Sequence, residues 1–221
     1  MPAYNEEAIL PMALAEAEAA VERLCEQWEI LIVDDGSTDS TPEILADWHR
    51  REPRVKVLTQ TPNQGYSKAL IRGFGAAGYA AVFYTDADAQ FDLAEIDRLY
   101  PHLAEVDMVA GYRIGRQDPW IRLLTSASYN MLQSLVLGLN VRDVNCAFKL
   151  FRRSFFERIR LASDGFLIDA ELYARAKRAG LRWAQVGVTH RPREKGSSTV
   201  RVATVTETLR ELMALRRALR S

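Results

Sequence analysis

Two short apolar runs, each halted by paired acids, constrain this chain more than any other feature. Residues 28–33 are apolar and branched and stop at Asp34-Asp35-Gly36. Residues 79–85 repeat the pattern and stop at Asp86-Ala87-Asp88. Runs of this length and makeup read as buried strands. A third strand is expected over 55–58 and a fourth over 107–110. Between them, helices are expected over 6–27 with Asn5 as N-cap, from Thr41 with Pro42 at the first helical position, over 66–77 and over 93–103. Strands alternating with helices predict a largely parallel sheet covered on both faces. In such sheets ligands bind beyond the carboxyl ends of the strands, where both acidic pairs fall.

The second half reads differently. Long amphipathic helices are expected over 119–137, 167–179 and 204–219, and a strand over 181–190. In the last helix Val205, Leu209, Leu212, Leu215 and Leu219 recur every three or four residues. No repeat or linker divides the 221 residues, so one α/β domain is expected.

Net charge is zero, but its distribution is lopsided. Residues 1–110 carry 8 Lys/Arg against 20 Asp/Glu, whereas residues 111–221 carry 21 against 9. Such a dipole suits an anionic substrate or surface, or else reflects solvated helix faces. No basic stretch is interleaved with aromatics, which argues against nucleic acid. Cys25 and Cys146 fit no CxxC spacing and read as reduced thiols. With no run of about 18 apolar residues and no signal-peptide pattern, a cytoplasmic setting is expected.

Asp86 and Asp88 flank one small residue at a strand end, so their side chains share a side. Adjacent carboxylates repel unless a proton or cation intervenes. Mg²⁺ is commonly held by one or two carboxylates together with substrate phosphates. The pair therefore suits a divalent ion shared with a diphosphate. The competing readings are a turn or helix cap for Asp86-Asp88, an ordinary turn for the Asp34–Asp39 run, and a phosphoryl-accepting receiver domain for this half.

With these residues in view, the chain resembles the family 2 glycosyltransferases of GT-A fold, near the dolichol- and polyprenyl-phosphate sugar transferases. The matching segments are Pro2-Ala3-Tyr4-Asn5-Glu6-Glu7, the strand ending Val33-Asp34-Asp35-Gly36-Ser37, Asn63-Gln64-Gly65 and Thr85-Asp86-Ala87-Asp88-Ala89-Gln90. Ala110-Gly111-Tyr112-Arg113, Asp143-Val144-Asn145-Cys146-Ala147-Phe148-Lys149, Ser163-Asp164-Gly165-Phe166 and the run from Arg191 to Ser198 follow in order. The resemblance implies a GT-A-type, mostly parallel mixed sheet flanked by helices, with a nucleotide-binding half (1–110), an acceptor half (111–199) and a C-terminal amphipathic helix (200–221). It also implies a first strand before the Pro-x-Tyr-Asn-Glu motif, which here follows Met1 directly and so reads as missing.

Site roles are implied as well. Pro2, Tyr4, Glu6, Val33 and Asp35 frame the nucleoside, with Asp35 reading the base. Asp86, Ala87 and Asp88 lie along the ribose and diphosphate, and Asp86, Asp88 and Gln90 form the Mg²⁺ or Mn²⁺ site, Asp88 being the main ligand. Arg113 and Arg193 contact phosphates, and Arg122 joins Arg193 at the acceptor phosphate. Arginine suits this because its planar fork matches phosphate oxygens. Asp88, Arg113 and Asp143 stand at the reaction centre. The implied reaction is inverting transfer of a hexose from a nucleoside diphosphate sugar, of GDP-mannose or UDP-glucose type, to a polyprenyl or dolichyl phosphate of the cell envelope. Thr199 stands where mannosyl-transferring members commonly carry Lys, which leaves the sugar open. Two alternatives stand: a family 2 transferase using a glycan or glycolipid hydroxyl, and a non-catalytic nucleotide-binding regulator.

Weaker signals concern partners. Trp120, Ile121, Leu123 and Leu124 form an apolar face suited to a membrane surface or to the core. The terminal helix ends Arg216-Arg217-Ala218-Leu219-Arg220, suited to anionic lipid at the cytoplasmic membrane face or to a second subunit in a homo-oligomer.

Overall fold

The computed structural model describes residues 1–116, 120–163, 165, 167–192 and 205–219, with only the backbone of residues 121, 122 and 205–208. In chain order the elements are β1 (Pro2–Ala3), α1 (Leu10–Leu24), β2 (Ile30–Asp34), α2 (Thr41–Arg51), β3 (Val55–Thr59), α3 (Tyr66–Ala76) and β4 (Ala81–Thr85). Then come α4 (Ile96–Leu99, between 3₁₀ turns), β5 (Met108–Ile114), α5 (Trp120–Leu137), β6 (Phe148–Arg152), α6 (Ser154–Arg158), α7 (Ile168–Arg178), β7 (Trp183–Thr189) and α8 (Val205–Ala218).

The strands form two groups, ordered β1-β2-β3 and β4-β6-β5-β7. The first is all parallel. In the second, β5 and β7 are parallel while β6 runs antiparallel to both β4 and β5. The sheet is thus mixed, as the resemblance implied. The first strand, expected to be missing, is formed by Pro2–Ala3, which pair in parallel with Val33 and Asp34.

Three local expectations change. Asn5 does not cap the first helix, which begins at Leu10 after Ile9. Asn5 instead takes a left-handed φ of 54° and accepts from the Thr38 amide at 2.7 Å. Asn tolerates that backbone because its short side chain bonds locally. The expected helix over 93–103 is a short α segment between two 3₁₀ turns, with Pro101 in the second. Strand β6 has no counterpart in the sequence reading, because the buried Lys149 hides its apolar character.

The core runs under both groups of strands, through Leu10, Leu14, Ile32, Leu45, Leu99 and Met108, all essentially without exposure. Burying each such side chain contributes about 1.5–3 kcal/mol. A ring cluster of Phe74, Tyr84, Phe151, Phe155 and Phe156 joins α3 to β4 and β6. A smaller cluster, Leu167 with Leu212 and Leu215, seats α8 against α5. On its outer side α5 leaves Trp120, Leu124, Met131 and Leu135 at 60–72% exposure, a stripe repeating at helical spacing.

Candidate active site

At the end of β2 the chain turns through Asp34–Ser37. The Asp34 carboxylate accepts from the Ser37 amide at 3.0 Å, an Asx turn. Gly36 has φ of +75°, and a Cβ there would sit 3.0 Å from the Asn63 nitrogen and the Gln60 carbonyl, so only glycine fits. Asp35 is 4% exposed and accepts from Gln60 Nε2 at 2.7 Å and from the Gln64 and Gly65 amides at 2.8 Å each. These donors fill three of a carboxylate's roughly four acceptor positions.

The Tyr4–Glu7 segment is laced to this turn. The Asn5 amide donates to Ser37 Oγ at 3.0 Å, the Glu6 amide to Thr41 Oγ1 at 3.0 Å and the Glu7 amide to Asp39 at 3.1 Å. In return, Ser40 donates its amide to Glu7 at 2.9 Å. Pro2 pairs with Val33, and the Asn5, Glu6 and Glu7 amides tie the following segment to the turn and helix start after Asp35.

Strand β4 delivers the second acidic end. Tyr66 donates its hydroxyl to Asp86 Oδ1 at 2.9 Å and is hydrogen-bonded to the Tyr84 hydroxyl. Ala87 is buried, facing the core. Burial first, and Asp88 second, push the Asp86 carboxyl up to about 7. Ala89 has φ of 53°, which turns the chain so that the Gln90 amide donates to Asp88 at 3.2 Å. Gln90 and Arg191 then exchange bonds, Arg191 N to Gln90 O at 2.7 Å and Gln90 Nε2 to Arg191 O at 3.2 Å. Arg191 itself is held by Glu16 at 2.9 Å and Asp92 at 3.4 Å. His190 is buried, edge-on to Phe91.

Two crowded carboxylates, one of them pushed toward neutrality, are relieved by a cation between them. Among the described residues no third His, Cys, Asp or Glu joins them. Such a site fits Mg²⁺ or Mn²⁺ completed by phosphate oxygens and water rather than an all-protein cage.

The register Thr85↔Phe148 brings the 143–147 loop beside the end of β4. There Asp143 receives Arg113 as a fork, Nε at 2.6 Å and a terminal nitrogen at 2.9 Å, with Asn130 at 3.3 Å. Burial alone would raise the Asp143 carboxyl, but the hydrogen bonds and charge of Arg113 win and leave it lowered. Asn130 on α5 also accepts from the Val144 amide at 3.0 Å and from Asn145 at 3.3 Å. A cleft of about 480 Å³ opens here, lined by Arg113, Arg116, Arg142, Asp143, Leu123 and Met131 among others. The Arg142 guanidinium lies 4.7 Å from the Tyr112 ring centre, and Arg116 donates to Ser126 at 3.0 Å.

The sequence reading missed Arg116, Arg142, Asn130 and Arg191, since single basic or amide residues on separate elements carry no local pattern. Arg113, expected on phosphate, forms a forked ion pair with Asp143. Arg193, Thr199, Asp164, Phe166 and the Arg122 side chain lie outside the described residues.

The parallel β1-β2-β3 group and the mixed β4-β6-β5-β7 group, flanked by helices, make a GT-A-type fold. The chain belongs to glycosyl transferase family 2, whose pattern matches residues 1–160. A polyprenol monophosphomannose synthase of Mycolicibacterium smegmatis is 31% identical over 95% of this chain and 82% of its own. An undecaprenyl-phosphate 4-deoxy-4-formamido-L-arabinose transferase of Pectobacterium atrosepticum is 32% identical over 90% of this chain, which spans 60% of that longer protein. In structure, the chain aligns over 99% of its length with glucosyl-3-phosphoglycerate synthase of Mycobacterium tuberculosis, in complex with Mn²⁺ and UDP-glucose, at TM-score 0.72 and 21% identity, covering 76% of that chain. That likeness is one of fold.

Proposed function

We propose that this glycosyltransferase moves a hexose, with inversion, from a nucleoside diphosphate sugar of GDP-mannose or UDP-glucose type to a polyprenyl phosphate. The state of Asp143 carries the choice of acceptor. Its carboxylate is forked onto Arg113 and held below its ordinary range, which makes it a weak base near neutral pH. A hydroxyl acceptor needs a base in reach of its proton. A phosphate acceptor arrives already ionised and needs a cationic seat instead, which Arg116 and Arg142 provide beside Asp143. The names of the relatives from M. smegmatis and P. atrosepticum support the same acceptor class.

In this reading the Asp35 turn and the Tyr4–Glu6 segment hold the nucleoside, with the remaining acceptor position of Asp35 turned to the base. Asp86 and Asp88 are the Mg²⁺ or Mn²⁺ ligands, and Gln90 supports them through Asp88. The bound cation supplies charge stabilisation for the departing nucleoside diphosphate. Arg113 and Asp143 neutralise each other and keep the acceptor end rigid, so catalysis rests on positioning. Arg122 and Arg193 are further candidates for the acceptor phosphate. No described helix is long and apolar enough to span a membrane. The exposed α5 stripe supports a reading of peripheral contact with the cytoplasmic membrane face, in competition with a homo-oligomer contact.

Nucleoside diphosphate release tests the reading, measured with Mn²⁺ and each donor in turn. The added acceptors are a short polyprenyl phosphate, the corresponding polyprenol and a glycolipid with free hydroxyls. Release is expected with the phosphate alone. Release only with a hydroxyl acceptor favours the glycan or glycolipid alternative, and absence of nucleotide binding by folded protein favours the regulator. Within the phosphate reading, Arg116→Ala and Arg142→Ala are each expected to raise the acceptor KM roughly 10- to 100-fold, the worth of one charge-assisted bond. Donor KM stays constant in the same assay.

A further inference from the structure

Lys149 is fully buried in the second residue of β6, the inner strand between β4 and β5. Its backbone pairs with Tyr84 and Ala110, and its side chain enters the core. The ammonium donates to Asp169 Oδ1 at 2.6 Å, to the Cys146 carbonyl at 2.5 Å and to the Val144 carbonyl at 3.2 Å. Those are all three of its donors. The rings of Tyr84 and Tyr173 flank it at 5.7 Å each. Asp169, 4% exposed in the first turn of α7, holds the ammonium from the opposite side.

A buried ion pair is seldom the cheapest filling for a core, and apolar residues of similar volume often serve stability as well. What apolar residues cannot do is bind backbone carbonyls. The two carbonyls here belong to the loop that carries Asp143, one on each side of Asn145. From the cleft side that loop is held by Arg113 on β5 and Asn130 on α5. From the core side it is held by Lys149, which does not line the cleft.

We infer that Lys149, held by Asp169, is a positioning residue for the transfer reaction: by pinning the Val144 and Cys146 carbonyls it sets the Asp143 carboxylate at the mouth of the acceptor cleft. The inference rests on the reading of that cleft as the acceptor site. Displacing a group that positions the reactants by about 1 Å lowers turnover on the order of 100-fold, and loss of the pin releases the loop on its core side.

The loop carries its own reporter. Cys146 is fully buried, and burial first, with Asp143 second, pushes its thiol up to about 12, whereas Cys25 is exposed. The test compares wild type with Lys149→Met/Asp169→Leu, which removes both charges together. Thermal midpoint, kcat, donor KM and the alkylation rates of the two cysteines are measured. The expected result is a folded protein with a lowered midpoint, unchanged donor KM, kcat lowered about 100-fold and faster alkylation of Cys146 but not of Cys25. Wild-type kcat in the folded double variant overturns the inference, as does lowered kcat with Cys146 as protected as before. If that variant does not fold, Lys149→Gln/Asp169→Asn is judged by the same measures. Should wild type transfer sugar to no polyprenyl phosphate, the functional reading falls, while Cys146 protection still decides whether the pin exists.

Discussion

Asp88→Ala is expected to abolish Mn²⁺-dependent binding of the nucleoside diphosphate and to lower transfer roughly 10³-fold. The magnitude follows from the several kcal/mol that a cation contributes at a departing phosphate, at tenfold per about 1.4 kcal/mol. Calorimetric titration of UDP and GDP, with and without Mn²⁺, reads the binding directly. The stability of the metal-free protein should move the other way. Asp88 is one of the causes that push Asp86 up to about 7, so removing it relieves repulsion. The metal-free variant is therefore expected to melt at or above the wild-type temperature. A variant that melts well below wild type, or that retains metal-dependent binding, would sink the assignment of Asp88 as main ligand.

Asp143→Ala is expected to destabilise the fold by about 3–5 kcal/mol, because it strands a largely buried arginine. Arg113 and Asp143 keep only 14% and 9% of their side-chain surface exposed. Asp143→Asn, which keeps the Asn130 contact but no charge, should lie between. The pH dependence has a definite sign. The folded carboxyl is lowered from its ordinary value of about 3.9, so its contribution is complete above that value and is lost as pH falls through the folded value. Urea unfolding from pH 7 downward should thus show a constant gap between wild type and Asp143→Ala to about pH 4, closing only in stronger acid. A gap that closes between pH 7 and 5 would contradict the ion pair.

The acidic strand ends were legible in the sequence because apolar strands stopped by Asp and Gly are local patterns with local causes. Asp34, Asp35, Asp86 and Asp88 could be assigned to strand ends from the sequence alone. Strand β6 was not legible, since a buried lysine in Phe148–Arg152 mimics a surface residue. The same holds for Lys149 and Asp169, which are brought together by the packing of α7 under β6. A phosphate contact for Arg113 was what the family resemblance implied, and no local pattern announced its pairing with Asp143. Only the approach of the 143–147 loop to β5 shows that its fork is already filled. Asn5 misled for a related reason: Asn favours both helix caps and left-handed turns, and the bond to Thr38, 33 residues away, decided between them.

The apolar stripe on α5 has a kinetic consequence. Trp120, Leu124, Met131 and Leu135 are exposed on a helix that also lines the cleft beside Asp143. A protein adsorbed along such a stripe meets its acceptor by lateral diffusion in two dimensions. Under the proposed function its rate would then follow the mole fraction of polyprenyl phosphate in the surface, not the amount per volume of solution. Diluting the acceptor with inert lipid slows the reaction even when every bulk concentration is unchanged.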